Sequence, residues 1–404
     1  MKTQLIAASL FIATAATVAF FPTLRDAVAI TPPAVTPLPL PTPVPIANER
    51  PRVEAVFVLD TTGSMSGLIQ AAKEKIWSIA NTMAQADPAP EIRIGLVAYR
   101  DRGDAYVTRV VDLNTDLDSV YATLMDFRAD GGGDGPESVN QALDDALNKV
   151  SWSQGQQAYK VIFLVGDAPA HMDYQDDVKY PVTLAAAKQR GIVVNAIQAG
   201  RDGGTSGMWQ QISALGSGDY FQVEPSGNAV AIATPFDRDL AELSAKLDET
   251  RLYYGNEEKK AQQRKKLEAS DKLHAGASVE SRARRATFNA SKSGAANFLG
   301  DGELVEDVAS GRVDISSIEE AELPAPLQAM APAEREAVIS EKAEQRQELQ
   351  AQIRQLAEKR SSYLKEKVAA EGGAKESLDE KIYSAVREQA LGKGLRYEAD
   401  SADY

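Results

Sequence analysis

The sequence contains no cysteine, which excludes disulfides, thiolate metal sites and a cysteine nucleophile. It has only two histidines, His171 and His274, so any metal site must be built almost wholly from oxygen. Basic charge is in deficit: 44 Lys and Arg stand against 58 Asp and Glu, and the formal charge of −14 argues against binding along a phosphate backbone. Nucleic acid is not an expected partner. Beyond Phe21 no apolar run is long enough to span a membrane. What is present is ordinary for a folded protein. The 404 residues are 44% hydrophobic and 25% charged, enough for a sizeable core in roughly two or three folded units.

Lys2 precedes an apolar stretch over 5–21, and Ala27-Val28-Ala29 supplies the small-x-small pattern of a signal-peptidase site. Residues 1–29 therefore read as a secretory signal or, if uncleaved, as an N-terminal membrane anchor with Arg25 at the lipid boundary. Either reading puts the bulk of the chain outside the cytoplasm: periplasmic, secreted, or anchored in the inner membrane and facing the periplasm. Pro32, Pro33, Pro37, Pro39, Pro41, Pro43 and Pro45 then make 30–51 a stiff, extended linker.

The next 200 residues alternate between two periodicities. Residues 53–59 (VEAVFVL) form a nearly continuous apolar run ending at Asp60, as in a central parallel strand buried on both faces. After a polar turn, Leu68, Ile69, Ala72, Ile76, Ile79 and Met83 recur at helical spacing. Further strands are expected at 92–99, 106–111, 161–165, 192–197 and 220–223, and helices at 117–127, 136–150, 180–189, 208–215 and 235–252. Such alternation implies an α/β fold with a doubly wound, mostly parallel sheet. The Arg102-Gly103-Asp104 turn is too short for a helical crossover, so 92–99 and 106–111 should pair antiparallel at one edge.

In such sheets ligands bind beyond the carboxyl ends of the strands. Three loops should converge there: Asp60-Thr61-Thr62-Gly63-Ser64, the glycine-rich Gly131-Gly132-Gly133-Asp134-Gly135-Pro136-Glu137, and the strand end Val165-Gly166-Asp167. They offer hard oxygen donors, which suit Mg²⁺, Mn²⁺ or Ca²⁺. Capping of the following helix would account for one hydroxyl or carboxylate of the first loop, but not for matching acidic loops after two further strands.

Asp60-x-Thr62-x-Ser64, the glycine-rich loop and Asp167 together resemble the metal-ion-dependent adhesion site of the von Willebrand factor type A domain, over residues 52–254. The resemblance implies a Rossmann-like domain in which Thr62 and Ser64 meet a divalent cation directly or through water, while Asp60 and Asp167 accept from metal-bound waters. Mg²⁺ is the first candidate, with Mn²⁺ and Ca²⁺ as alternatives. The resemblance also implies a protein partner that presents an acidic residue to the metal. The family usually has Thr in the second loop, where this chain offers Asp134 and Glu137, and either could replace it. A carboxylate there would reduce the metal's net positive charge and weaken its pull on a partner's acid.

No catalytic role is expected. His171 has no paired base and orienter legible in the sequence, and phosphatases on similar sheets need Asp two residues after the first, where this chain has Thr62. A metal-dependent hydrolase and a metal-free scaffold are the rival readings. Residues 255–330 are charged and locally basic, and read as a partly ordered linker region. After Pro324, Pro326 and Pro332, residues 331–404 should form a mainly helical hairpin or short coiled coil with Leu349, Ile353, Leu356 and Tyr363 in a stripe, open to self-association. Lys342, Arg346 and Arg360 interrupt that stripe. The second arm is expected over 378–390.

Overall fold

The computed structural model describes residues 50–133, 135–155, 157–226, 232–370 and 377–398. The expected signal or anchor and most of the proline-rich linker lie outside these residues, as does Asp134. Among the described residues no helix is long and apolar enough to cross a membrane.

The apolar runs become strands β1 (Arg52–Asp60), β2 (Glu91–Tyr99), β3 (Thr108–Asn114), β4 (Tyr159–Gly166), β5 (Ile192–Ala199) and β6 (Ser217–Val223). They form one sheet in the order β3-β2-β1-β4-β5-β6, with β3 antiparallel to β2 and every other pair parallel. The expected fold class is thus observed. The antiparallel edge strand starts and ends later than expected because residues 101–107 are taken up by the turn.

Among the described residues the sheet is accompanied by helices α1 (Ser66–Ala84), α2 (Leu117–Leu124), α3 (Val139–Asn148), α4 (Tyr180–Gln189), α5 (Gly203–Leu215) and α6 (Asp237–Asp248). Strand side chains alternate between faces, so β1 divides its apolar residues between two cores. Val53, Ala55, Phe57 and Leu59 join α1 and α2, whereas Val56 and Val58 join α3, α4 and α5. Phe57 pairs in register with Phe163 of β4, and the two rings stack at 5.3 Å. With both faces of its central strands covered, the sheet presents the ends of those strands to solvent.

Residues 255–330 carry α7 (Glu257–Gly276), α8 (Val279–Asn289), α9 (Ala295–Leu299), α10 (Leu304–Ala309) and α11 (Ala325–Gln328), and are followed by α12 (Pro332–Ala370) and α13 (Leu378–Ala390). Helix α7 packs on α2, and α8 packs on α1 and α6. Helix α12 lies against α6, α8 and α10. The expected hairpin would set α13 along α12, yet α13 lies along α1 and reaches β6. The reason is its apolar face. Leu378, Ile382, Tyr383, Val386 and Ala390, with Leu395 and Tyr397 beyond, complete the core on the α1 side of the sheet. Lys75 of α1 and Asp379 of α13 form a buried pair at 2.9 Å, and Tyr159 of β4 donates to Gln389 Oε1 at 2.8 Å.

The cations in the α12 stripe also find partners. Arg346 holds Glu303 through both terminal nitrogens at 2.8 and 2.9 Å, and Arg360 holds Asp237 at 2.8 Å. Charged residues on a buried stripe are tolerated when paired in this way. The α12 stripe is therefore a docking face within the chain.

Candidate metal centre

Asp60 closes β1 and is buried. Its Oδ1 accepts from the Thr62 amide at 2.9 Å and from Thr62 Oγ1 at 2.6 Å, and Thr62 Oγ1 lies 3.4 Å from Ser64 Oγ. This short turn aligns one carboxylate and two hydroxyls at the mouth of the sheet. The remaining oxygen, Asp60 Oδ2, is buried without a hydrogen-bond partner among the described residues.

The second loop is bound to the first through two backbone hydrogen bonds, from Gly63 N to the Gly131 carbonyl and from Asp130 N to the Thr61 carbonyl, each 3.1 Å. Gly132 has φ +77°, and a Cβ there would sit 3.1 Å from Thr62 Cβ and 3.2 Å from Glu137 Oε1. Only glycine suits that backbone and that space. Thr62 and the Glu137 carboxyl thus flank one backbone position. Glu137 is buried, and its Oε2 likewise has no hydrogen-bond partner among the described residues. Its amide donates to the Pro169 carbonyl at 2.8 Å and its carbonyl accepts from His171 N at 3.0 Å, which fastens the second loop to the third. Gly166, just before Asp167, would place a Cβ 3.0 Å from Asp60 Cβ and 2.4 Å from the Tyr99 hydroxyl, so glycine lets β4 approach Asp60.

Burial pushes the Asp60 carboxyl up to about 7; the Thr62 hydrogen bonds oppose the rise, and Asp167 acts both ways, its charge adding to it and its backbone amide opposing it. Burial also pushes Glu137 up to about 9, helped by Asp60, Asp101, Asp104 and Asp167. These are acids short of positive charge. Two buried oxygens without partners, a hydroxyl pair and several nearby carboxylates fit a hard divalent cation. Among the described residues no three carboxylates or imidazoles converge closely enough to hold an ion by themselves, so the hydroxyls of Thr62 and Ser64 are needed to complete a donor set.

Of the six residues singled out in the sequence, Asp60, Thr62, Ser64, Glu137 and Asp167 meet at this end of the sheet, and Asp134 lies outside the described residues. Two acids of the β2–β3 turn also belong to the neighbourhood. Asp104 accepts from the Gly132 amide at 3.1 Å, while Asp101 accepts from Ser138 Oγ at 2.8 Å and the Tyr174 hydroxyl at 2.7 Å. Arg100 links the first two loops by donating to the Thr61 and Arg128 carbonyls at 3.1 and 2.8 Å. The signal was available: β2 too is an apolar run that ends in a charged loop, Tyr99-Arg100-Asp101. His171 stacks on Tyr174 at 4.0 Å and lies 2.8 Å from Asp173 Oδ1, so it buttresses the third loop.

Residues 54–224 match the family described as von Willebrand factor A domain. This segment is a von Willebrand factor A domain. The von Willebrand factor A domain-containing protein 7 of Rattus norvegicus is 40% identical over 91 residues, 22% of this chain and 10% of that protein. The chain spans between 10% and 19% of the length of the curated relatives it matches. Among solved structures, the conserved hypothetical protein BatB from Bacteroides thetaiotaomicron is 18% identical, over 43% of this chain and 90% of that one, with a TM-score of 0.33. Proximal thread matrix protein 1 from the mussel byssus, with a zinc-occupied MIDAS motif, is 16% identical over 44% of this chain and 42% of that one, with a TM-score of 0.34.

The raised Asp60 value gives the A domain a distinctive pH dependence. A carboxyl raised from an ordinary value near 4 to about 7 contributes stability that is full below the lower value and lost as pH rises through the upper one. Without divalent ions, the melting temperature of the full chain is expected to fall between pH 5 and pH 8 by an amount that Asp60→Asn reduces. Thermal melts of both proteins across that range check this; equal slopes would show that Asp60 is not the titrating group.

Proposed function

We propose that the A domain is a divalent-metal-dependent protein-binding module in which the cation, Mg²⁺ first among the candidates, receives an acidic residue of a partner. The carrying observation is the pair of buried, unpartnered oxygens, Asp60 Oδ2 and Glu137 Oε2, beside the Thr62–Ser64 hydroxyl pair. In this reading Thr62 and Ser64 hold the cation directly or through water, and Asp60 and Asp167 balance its charge. The bound cation supplies a Lewis-acidic position for a carboxylate oxygen. Glu137 fills the role usually taken by Thr, which tempers that position and favours modest, reversible binding.

The module is non-catalytic in this reading, because Thr62 occupies the place where a second Asp would serve phosphoryl transfer. The N-terminal 29 residues would export it, and the proline-rich linker would hold it away from the membrane if they remain attached. Calorimetric titration of Mg²⁺ into the full chain, alone and with glutarate as a stand-in for a partner's carboxylate, tests the reading. Saturable binding that glutarate tightens supports it. Binding that glutarate leaves unchanged would make the ion purely structural, and hydrolysis of an aryl phosphate lost in Asp60→Ala would make the domain an enzyme.

A further inference from the structure

At the amino ends of the parallel strands, opposite the candidate metal centre, lies a cavity of about 710 Å³. The close of α3, the loop leading into β4, the turn between α4 and β5, and the C-terminal Lys393 converge on it. Lys160, Lys188, Arg190 and Lys393 line it, and among the described residues no Asp or Glu does, although the chain as a whole carries a charge of −14.

Lys188 and Arg190 have an ordinary explanation, since cations favour the carboxyl ends of helices. Arg190 indeed donates to the Leu147 carbonyl at 2.9 Å and to Asn148 Oδ1 at 2.8 Å, which satisfies the end of α3. Lys160 has no such explanation. It is the second residue of strand β4 and only 5% exposed. Its neighbour across the sheet is Glu54, but that carboxylate is already engaged by Arg93 at 2.7 Å and by the Ser153 amide at 3.0 Å. No carboxylate among the described residues forms an ion pair with Lys160. Burial lowers its pKa, Glu54 opposes the shift, and Lys393 reinforces it. The stem of Lys160 packs in the sheet while its ammonium lines the cavity, where no carboxylate among the described residues pairs with it.

We propose that this cavity binds a multiply charged phosphate compound whose negative charge compensates Lys160. The cavity is larger than one phosphate needs, and Gln154 and Trp152 add a polar and an aromatic wall for the remainder of the ligand. The same chemistry could come from a free phosphate compound or from a lipid headgroup, and the two are separable by experiment. The site is independent of the metal reading, because it uses none of the same residues.

The test uses the full chain in buffer free of divalent ions. Pyrophosphate is titrated by calorimetry into wild type, Lys160→Met, Lys393→Met, Asp60→Ala and the exposed-lysine control Lys365→Met, and vesicles containing phosphatidylglycerol are offered in a flotation assay. Pyrophosphate should bind saturably, about tenfold or more weakly in Lys160→Met and Lys393→Met, and unchanged in Lys365→Met and Asp60→Ala. Added pyrophosphate should raise the melting temperature of wild type but not of Lys160→Met, which without ligand should melt no lower than wild type. Vesicle binding lost in the same two variants, without pyrophosphate binding, would assign the lipid headgroup. Binding to neither probe, equal binding by all variants, or loss in Asp60→Ala would overturn the proposal.

Discussion

Deleting residues 377–404 is expected to abolish cooperative folding of the A domain, although the deletion begins more than 150 residues beyond the matched segment 54–224. The removed helix α13 and the residues after it bury Leu378, Ile382, Tyr383, Val386, Leu395 and Tyr397 on the α1 face of the sheet. At roughly 1.5–3 kcal/mol per large apolar side chain, this burial is on the order of 10 kcal/mol, an upper figure because the unfolded chain is partly compact. That is comparable to the whole stability of a typical domain, about 5–15 kcal/mol. The deletion also leaves Lys75, 1% exposed, without Asp379. Circular-dichroism melts with a hydrophobic dye read the outcome: no cooperative transition and strong dye binding are expected. A truncated chain that melts sharply within a few degrees of the full chain would contradict this role for α13. By the same reasoning, residues 52–254 alone lack part of their own core and are a poor substitute for the full chain in any binding assay.

Arg285→Ala is expected to cost about 3–5 kcal/mol, the range for breaking one side of a buried ion pair. Arg285 is fully buried on α8, donates two hydrogen bonds of 2.6 Å to Asp118 of α2, and pairs with Asp248 of α6 at 2.8 Å. Ser244 accepts a further hydrogen bond at 2.9 Å. One guanidinium therefore joins the sheet domain to the helices that follow it. Burial by itself would push Asp118 up, but the charge and hydrogen bonds of Arg285 outweigh it and hold the carboxyl below the usual carboxylate range. A depressed carboxyl contributes stability above its unfolded value near 4, lost as pH falls through the folded value. Without Arg285, Asp118 keeps the charges of Lys266 and Arg251 and Asp248 keeps Arg251 and His274, so the stability that wild type loses on the acid side should shrink in the variant. Denaturant melts at pH 4, 5.5 and 7 separate the cases. A variant within about 0.5 kcal/mol of wild type, the usual scale of exposed substitutions, would show that the pair holds nothing together.

The sheet was legible because its central strands are apolar on both faces and end abruptly at polar loops. Runs such as Val53–Leu59 leave little alternative in a chain that then switches to helical period. The first and third loops were legible for the same reason, since a strand end fixes where Asp60 and Asp167 must project. The turn acids Asp101 and Asp104 were not picked out, because Arg102-Gly103-Asp104 reads as an ordinary charged turn until Asp104 is seen to accept from Gly132. The C-terminal helices were legible as helices and not in their docking. An amphipathic face states that it is buried, not against what. Arg346 and Arg360 look like faults in an apolar stripe, and their partners Glu303 and Asp237 are 43 and 123 residues away in sequence.

The most direct test of the metal centre is the melting temperature of the full chain as Mg²⁺ is added, beside Asp60→Ala. A ligand that binds only the folded state stabilises by about 2.7 kcal/mol at a hundredfold excess over its Kd. The geometry at Asp60, Thr62, Ser64 and Glu137 predicts a saturable rise in wild type and none in Asp60→Ala. No rise with Mg²⁺, Mn²⁺ or Ca²⁺ at millimolar concentration, or the same rise in both proteins, would contradict a cation site at this end of the sheet.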